Sequence, residues 1–119
     1  MGETHVDVTI RNPAEPNRCW EGRFLVDTGA TDSQVARGHL EAIGLRPVGS
    51  REYLLADGRV SRAEVAVAQL EFEGTVTGGA VIFGEDGAEP LLGLTALEST
   101  GFDVDPVDGR LKQTRRLRL

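Results

Sequence analysis

Apolar and polar residues alternate along much of this chain, and the alternation predicts short β-strands. His5 to Ile10 alternates with a period of two, which is typical of a half-buried strand. Residues 11–18 are rich in Pro and Asn and predict a turn-rich connection. Cys19 to Val26 predicts a second strand, and two more are expected over Glu64 to Phe72 and Thr75 to Phe83. The pattern therefore favours a mostly β protein.

Two short helices interrupt this strand pattern. They are expected within residues 37–45 and over residues 95–101. The first has Leu40 and Ile43 at helical spacing, and Gly44 stands where such a helix would stop. The second also ends at a glycine, a residue that readily takes the left-handed conformation found at helix ends.

Length and composition limit the domain organisation. With 119 residues, of which 39% are hydrophobic, the chain can bury one core but is too short for two lobes, so a single domain over residues 1–119 is predicted. One cysteine, Cys19, cannot form an internal disulfide. A signal peptide and an apolar run of membrane-spanning length are both missing, so we expect a cytoplasmic protein without a membrane partner. Met1-Gly2 could begin a myristoylation signal, but Val6 occupies the position where Ser or Thr is needed.

The most informative stretch is an apolar run that ends in an acid. Phe24, Leu25 and Val26 lead into Asp27, and Thr28-Gly29-Ala30 then provide a loop of small residues. Gly29 has no Cβ, so a substrate or another chain can approach the backbone there. By itself the tripeptide favours a simpler interpretation, a turn that Asp27 only caps. A second element, Pro90-Leu91-Leu92-Gly93-Leu94 before the second helix, changes that balance.

These two segments together resemble a retropepsin-type aspartic protease subunit of a non-retroviral kind. The resemblance lies in Asp27-Thr28-Gly29-Ala30 and in Leu91-Leu92-Gly93, and their separation makes it span nearly the whole chain. It implies an all-β fold, a small closed β-barrel-like acid protease domain with one or two short helices. It also implies a dimer, because such enzymes need two carboxylates and Asp-Thr-Gly occurs once here. A two-fold homodimer would supply the second Asp27.

The resemblance also implies roles for individual residues. Asp27 would be the catalytic acid, and two such carboxyl groups about 3 Å apart would share one proton and activate a water molecule. Thr28, Gly29 and Ala30 would support the catalytic loop, with the Gly29 carbonyl also binding the substrate backbone. Leu91, Leu92 and Gly93 would pack beneath that loop. The simpler interpretation is that Thr28 ends a strand and that the leucines are ordinary core.

A hairpin is predicted between residues 52 and 60, where a retropepsin-like flap is expected. Its turn, Asp57-Gly58, is a strong hairpin signal. Under the resemblance, Ala56, Asp57 and Gly58 would bind substrate from above and exclude water. The residues of the hairpin alone favour an ordinary surface hairpin, and it is the acid motif that shifts the interpretation to a flap.

Two positions depart from the retroviral pattern. Retroviral enzymes commonly carry an Asp after the Ala and an Arg after the downstream Gly, and those two side chains pair. Thr31 and Leu94 stand there in this chain. Because both charges are absent together, neither is left unpaired in a partly buried place. Retroviral dimer contacts and subsite preferences are therefore not transferred to this chain.

Residues 102–112 predict a terminal hairpin, and residues 110–119 form a basic tail. Such a tail can bind nucleic acid, but a basic edge strand also guards against aggregation, and the whole chain carries a net charge of −6. We therefore expect no nucleic-acid partner. Residues 115–119 could instead join an intersubunit sheet, as terminal strands do in the resembled family. His5 and His39 lack metal-ligand spacing, and neither a metal nor a cofactor is predicted.

The resulting hypothesis is a homodimeric aspartic endopeptidase that acts on peptide or protein substrates. A binding or dimerisation module of the same fold, without hydrolysis, is the alternative. An intact Asp-Thr-Gly favours the enzyme, because a module without catalysis has no evident need for two facing acids.

Overall fold

The computed structural model describes residues 3–119. Met1 and Gly2, where a myristoylation signal would begin, lie outside the described residues. Nine strands and two helices are present in residues 3–119. They are β1 (His5–Arg11), β2 (Cys19–Asp27), β3 (Ser33–Ala36), α1 (Arg37–Ala42), β4 (Gly49–Leu54), β5 (Val60–Phe72), β6 (Thr75–Gly84), β7 (Leu91–Gly93), α2 (Leu94–Thr100), β8 (Phe102–Val104) and β9 (Leu111–Gln113).

Six strands close into a barrel, and a seventh extends it. The strand order is β1-β2-β7-β3-β6-β5-β4, and β1 also pairs with β5, which closes the ring. Strand β4 pairs with β5 and forms the edge of the sheet. Strands β8 and β9 form a separate two-stranded sheet. The predicted all-β, closed-barrel fold with two short helices is thus confirmed.

The barrel interior is filled by the apolar positions of the alternating strands. In β1 every second residue is buried, as the sequence pattern predicts. The largest fully buried side chains come from strands on all sides of the barrel and from both helices: Ile10, Phe24, Val35, Leu40, Leu70, Val81, Leu92 and Leu97. The core is therefore one contiguous cluster that fixes the strands around it.

Strand β5 is longer than the sequence pattern suggests. The sequence divides it into the second arm of the hairpin, which reaches Val60, and a separate strand from Glu64, whereas the structure has one continuous strand of 13 residues. Its first half pairs with β4, and its second half pairs with β6 and β1. Residues 60–62 are all exposed, so the sequence shows no alternation of buried and exposed positions there, and this explains the division.

Both helices end as the glycines predict. Gly44 has φ +83° two residues after α1, and Gly101 has φ +75° directly after α2. Neither helix of the described residues has the length and apolar character that crossing a bilayer requires.

Candidate active site

Asp27 is the last residue of β2, and its half-buried side chain lies at the start of a loop, residues 28–32, that we call the acid loop. The Gly29 amide donates a hydrogen bond to Asp27 Oδ1 at 3.0 Å, and the Ala30 amide donates to the Asp27 carbonyl at 3.1 Å. A Cβ on Gly29 would lie 3.3 Å from the same Oδ1, a close contact that would press on the carboxylate. Thr28 and Gly29 are exposed. The acid is therefore oriented by its own loop, and that loop is open to an approaching molecule.

Strand β7 holds β2 from the side. Residues 25–27 pair in parallel with residues 91–93, so that Asp27 lies opposite Gly93. The Gly93 amide donates to Ser33 Oγ at 2.9 Å, a buried hydrogen bond to the residue that begins β3. Leu92 is fully buried, whereas Leu91 is half-buried. The two motifs that the sequence pairs are thus neighbours in the ladder, although 66 positions separate Asp27 from Gly93.

The first residues of α2 hold the acid loop from below. The amides of Leu94 and Thr95 donate to the carbonyls of Ala30 and Thr31, at 2.8 and 3.1 Å. These amides belong to the first turn of a helix, where backbone donors have no partner inside the helix. The side chains of Thr31 and Leu94, which replace a charged pair of the retroviral pattern, are exposed. Backbone hydrogen bonds therefore join the acid loop to the start of α2 without that pair.

The predicted hairpin is present, and its tip, residues 54–60, is called the flap below. The Leu55 amide donates to the Arg59 carbonyl at 2.7 Å, and the Gly58 amide donates to the Leu55 carbonyl at 2.9 Å. Gly58 has φ +88°, which the turn requires. The Asp57 carboxylate accepts hydrogen bonds from the amide and side chain of Arg59. Ala56 faces a groove, whereas Asp57 and Gly58 lie at the turn beyond it.

That groove, with a volume of about 540 Å³, runs between the acid loop and the flap. Asp27 itself does not line the groove, and the lining residue nearest to it in the sequence is Gly29, two positions later. Its lining comes from the acid loop, from β4 and the flap, and from one residue of β6: Gly29, Ala30, Thr31, Asp32, Arg51, Glu52, Tyr53, Leu54, Leu55, Ala56 and Ile82. A groove of this volume with both apolar and polar lining residues is typical of a ligand site.

A second acid of the loop, Asp32, is one that the sequence analysis did not single out. Its side chain is 5% exposed, and its Oδ2 accepts hydrogen bonds from Arg51 Nη1 at 2.9 Å and from the Tyr53 hydroxyl at 2.6 Å. Burial, and next the hydrogen bond to Asp32, raise the pKa of Tyr53 to about 12. The hydrogen bond to Asp32 raises the pKa of Arg51 as well. The available signal was Arg51 and Tyr53 two positions apart on a strand, which places both side chains on one face.

No group of three or more His, Cys, Asp or Glu side chains within residues 3–119 is arranged to hold a metal ion. His5 lies 3.6 Å from Glu89, and His39 stacks on the ring of Trp20. Both histidines are therefore occupied by ordinary surface contacts.

Comparison with known protein families identifies the family of this chain. The model of a family described as "gag-polyprotein putative aspartyl protease" matches residues 17–99, well over half of the chain and both motifs. The chain belongs to this family. The predicted resemblance to retropepsin-like aspartyl proteases is thereby confirmed. None of the curated proteins matches the chain.

The family membership agrees with a likeness in three dimensions. The retroviral protease-like domain of Ddi1 from Leishmania major is similar to this family member, with a TM-score of 0.59 and 17% sequence identity. The match covers 94% of this chain and 88% of that one. At this identity the likeness concerns the fold, which the two chains share over nearly their whole length.

Proposed function

We propose that this chain is an aspartic endopeptidase that hydrolyses peptide or protein substrates with a water molecule activated by two Asp27 carboxylates, one from each protomer of a homodimer. The observation that carries the proposal is the placement of Asp27. Asp27 is the last residue of β2, which pairs with β7, and its carboxylate accepts a hydrogen bond from the loop that follows. That loop forms one side of the groove, and the flap forms the other. Membership of an aspartyl protease family supports the same chemistry.

The second acid has to come from another copy. Asp-Thr-Gly occurs once, and the hydrogen bonds of residues 3–119 join the Asp27 side chain only to the amide of Gly29. Thr28 and Gly29 are exposed, so a second acid loop can approach them about a two-fold axis. The tail supplies further surface, since Leu117 is 62% exposed and residues 114–119 pair with no strand among residues 3–119.

In the proposed reaction the two carboxyl groups share one proton, because two negative charges so close together are mutually destabilising. The ionised group removes a proton from the bound water as its oxygen attacks the scissile carbonyl carbon. The protonated group donates its proton to the carbonyl oxygen, which gives a neutral gem-diol. Collapse of that intermediate breaks the C–N bond and returns a proton to the leaving amine. Each step uses only the dyad and water.

The surrounding residues would bind the peptide. An extended substrate lying in the groove would meet the Gly29 carbonyl on one side and the backbone near Ala56 in the flap on the other. The small side chain of Ala30 would leave room for the substrate beside Asp27, and Thr28 would hold the two acid loops together at the axis. Asp57 and Gly58 would act by shaping the flap turn.

The test is cleavage of a peptide library at mildly acidic pH by the purified chain and by Asp27→Asn. We expect cleavage by the wild type and at least a thousandfold loss in the variant, on the order of the effect of losing a central acid–base group. Asp7→Asn is the matched control, because Asp7 is an exposed acid on β1 outside the groove. Equal activity of Asp27→Asn and wild type would refute the proposed chemistry.

Sedimentation and a shortened tail test the dimer. A chain that is monomeric at every concentration cannot form the dyad, and that outcome would contradict the proposal. Removing residues 116–119 leaves the hydrogen bonds from Thr114 and Arg115 to Gly101 intact, so the barrel should fold as before. We expect weaker dimerisation and a matching loss of cleavage. A wild-type dimer that binds peptides and cleaves none would identify the binding module instead.

A further inference from the structure

The flap has little apolar packing to hold it over the groove. Leu54 is 77% exposed and Val60 is 63% exposed, at the two ends of the hairpin tip. Among residues 3–119, strand β4, which leads into the flap, pairs with β5 alone and leaves its other edge open. A hairpin attached along one edge can swing relative to the barrel, since rigid-body motion costs none of its internal hydrogen bonds.

The Asp32 cluster, which consists of Asp32, Arg51 and Tyr53, joins that hairpin to the acid loop. Arg51 and Tyr53 are two positions apart on β4, and both donate to the same oxygen of Asp32. Asp32 follows Asp27 by five positions, on a loop whose own position is fixed by α2 and β7. The cluster is therefore a bridge between the fixed wall of the groove and the base of its movable wall.

The chemistry of the cluster makes this bridge strong. The Asp32 side chain is 5% exposed, and a carboxylate so deeply buried is destabilised unless donors surround it. Arg51 supplies the opposite charge and Tyr53 supplies a short hydrogen bond, so swinging β4 away would leave Asp32 without either donor. Hydrogen bonds to charged groups are the stronger class in proteins.

We propose that the Asp32 cluster fastens the base of the flap to the acid loop and thereby sets how far the flap opens over the groove. Its members are positioning residues, since they act on the substrate through the placement of the flap. The inference deepens the proposed function, and the activity measurement below rests on that function. The measurement of flap motion is independent of it, because it needs no substrate.

The experiment compares the full chain with Tyr53→Phe and Asp32→Asn by NMR relaxation dispersion of backbone amides. Tyr53→Phe removes one hydroxyl, and Asp32→Asn keeps the shape while removing the charge that holds Arg51. We expect exchange broadening of residues 54–60 to increase in both, with the open population rising roughly tenfold, the factor that corresponds to about 1.4 kcal/mol. Arg62→Gln is the control, because Arg62 lies on the same hairpin and outside the cluster.

The outcomes separate cleanly. Flap broadening in the two cluster variants and not in Arg62→Gln supports the fastening. An unchanged flap in folded Tyr53→Phe and Asp32→Asn overturns it, and so does broadening spread evenly over the barrel. With a cleaved peptide as substrate, Tyr53→Phe should raise KM roughly tenfold and leave kcat and its pH profile nearly unchanged. If the wild type cleaves nothing, the proposed function fails while the NMR result still decides the fastening.

Discussion

Adding one methyl group to Gly93 should disturb the structure beneath the candidate active site. A Cβ at this position would lie 2.5 Å from the carbonyl carbon of Asp32, 2.7 Å from its oxygen and 2.9 Å from the Ser33 amide nitrogen. Carbon atoms in contact normally stay about 3.5–4.0 Å apart, so backbone has to move by roughly 1 Å. No side-chain rotation relieves the clash, because the neighbours are all backbone atoms.

The expected cost follows from these contacts. Overpacking of this kind costs about 1–3 kcal/mol, and weakening the hydrogen bond from Gly93 to Ser33 adds about 1 kcal/mol. The lower entropy of the unfolded Gly93→Ala chain offsets about 0.4–1 kcal/mol. We therefore expect a net loss of about 1–3.5 kcal/mol in the free energy of unfolding. For a chain of this length a loss in the middle of that range corresponds to a drop of roughly 10 °C in the melting temperature.

Urea denaturation and thermal melting of Gly93→Ala measure this loss. Gly49→Ala is the matched control, because a Cβ on Gly49 meets no atom within 4 Å. We expect Gly49→Ala to stay within about 1 kcal/mol of the wild type. If Gly93→Ala proves as stable as Gly49→Ala, the close approach of β7 to the acid loop, and with it the support proposed for Asp27, is wrong.

Three further predictions concern neighbouring features. Ser33→Ala removes the acceptor of the buried Gly93 amide and should cost about 1–3 kcal/mol in urea denaturation, and a change below about 0.5 kcal/mol would contradict the hydrogen bond. Tyr53 is the only tyrosine, so the absorbance of tyrosinate reports on it alone, and its pKa in the folded chain should be about 12. Its contribution to stability is complete below about pH 10 and is lost as the pH rises toward 12. A titration midpoint near pH 10 in the folded chain would refute the burial of its hydroxyl. The hydrogen bond from Lys112 lowers the pKa of Asp105, so stability gained above about pH 4 is lost as the pH falls through the lowered value; Lys112→Gln should flatten this acid-side loss of melting temperature, and equal slopes would contradict it.

Local pattern predicted most of the elements because the forces involved are local. The alternation in β1, the Asp57-Gly58 turn and the glycine after α2 each depend on neighbours within a few residues, and all three are found where the sequence places them. The division of β5 was wrong because residues 60–62 are all exposed where β5 pairs with the edge strand β4, so no alternation of burial marks that part as strand. A strand that pairs with different neighbours along its length need not keep one alternation of buried and exposed residues throughout.

The acid loop shows the limit of the motif. Asp27 and Gly93 are recognisable in the sequence because each belongs to a short, specific run of residues. Asp32 belongs to no such run, and its environment is made by Arg51 and Tyr53 on another strand. Its burial is therefore invisible until the hairpin is folded back over the loop.

The sequence by itself determined the family, the period of most strands, the two helix ends and the acid that the proposed chemistry needs. These follow from side-chain size, alternation and backbone freedom, which are properties of consecutive residues. Only the tertiary structure decided that β1 closes the barrel against β5, that β7 lies beside Asp27, and that a buried carboxylate ties the flap to the acid loop. Each of these joins residues far apart in the chain, and their energy depends on burial and alignment that arise when the barrel closes.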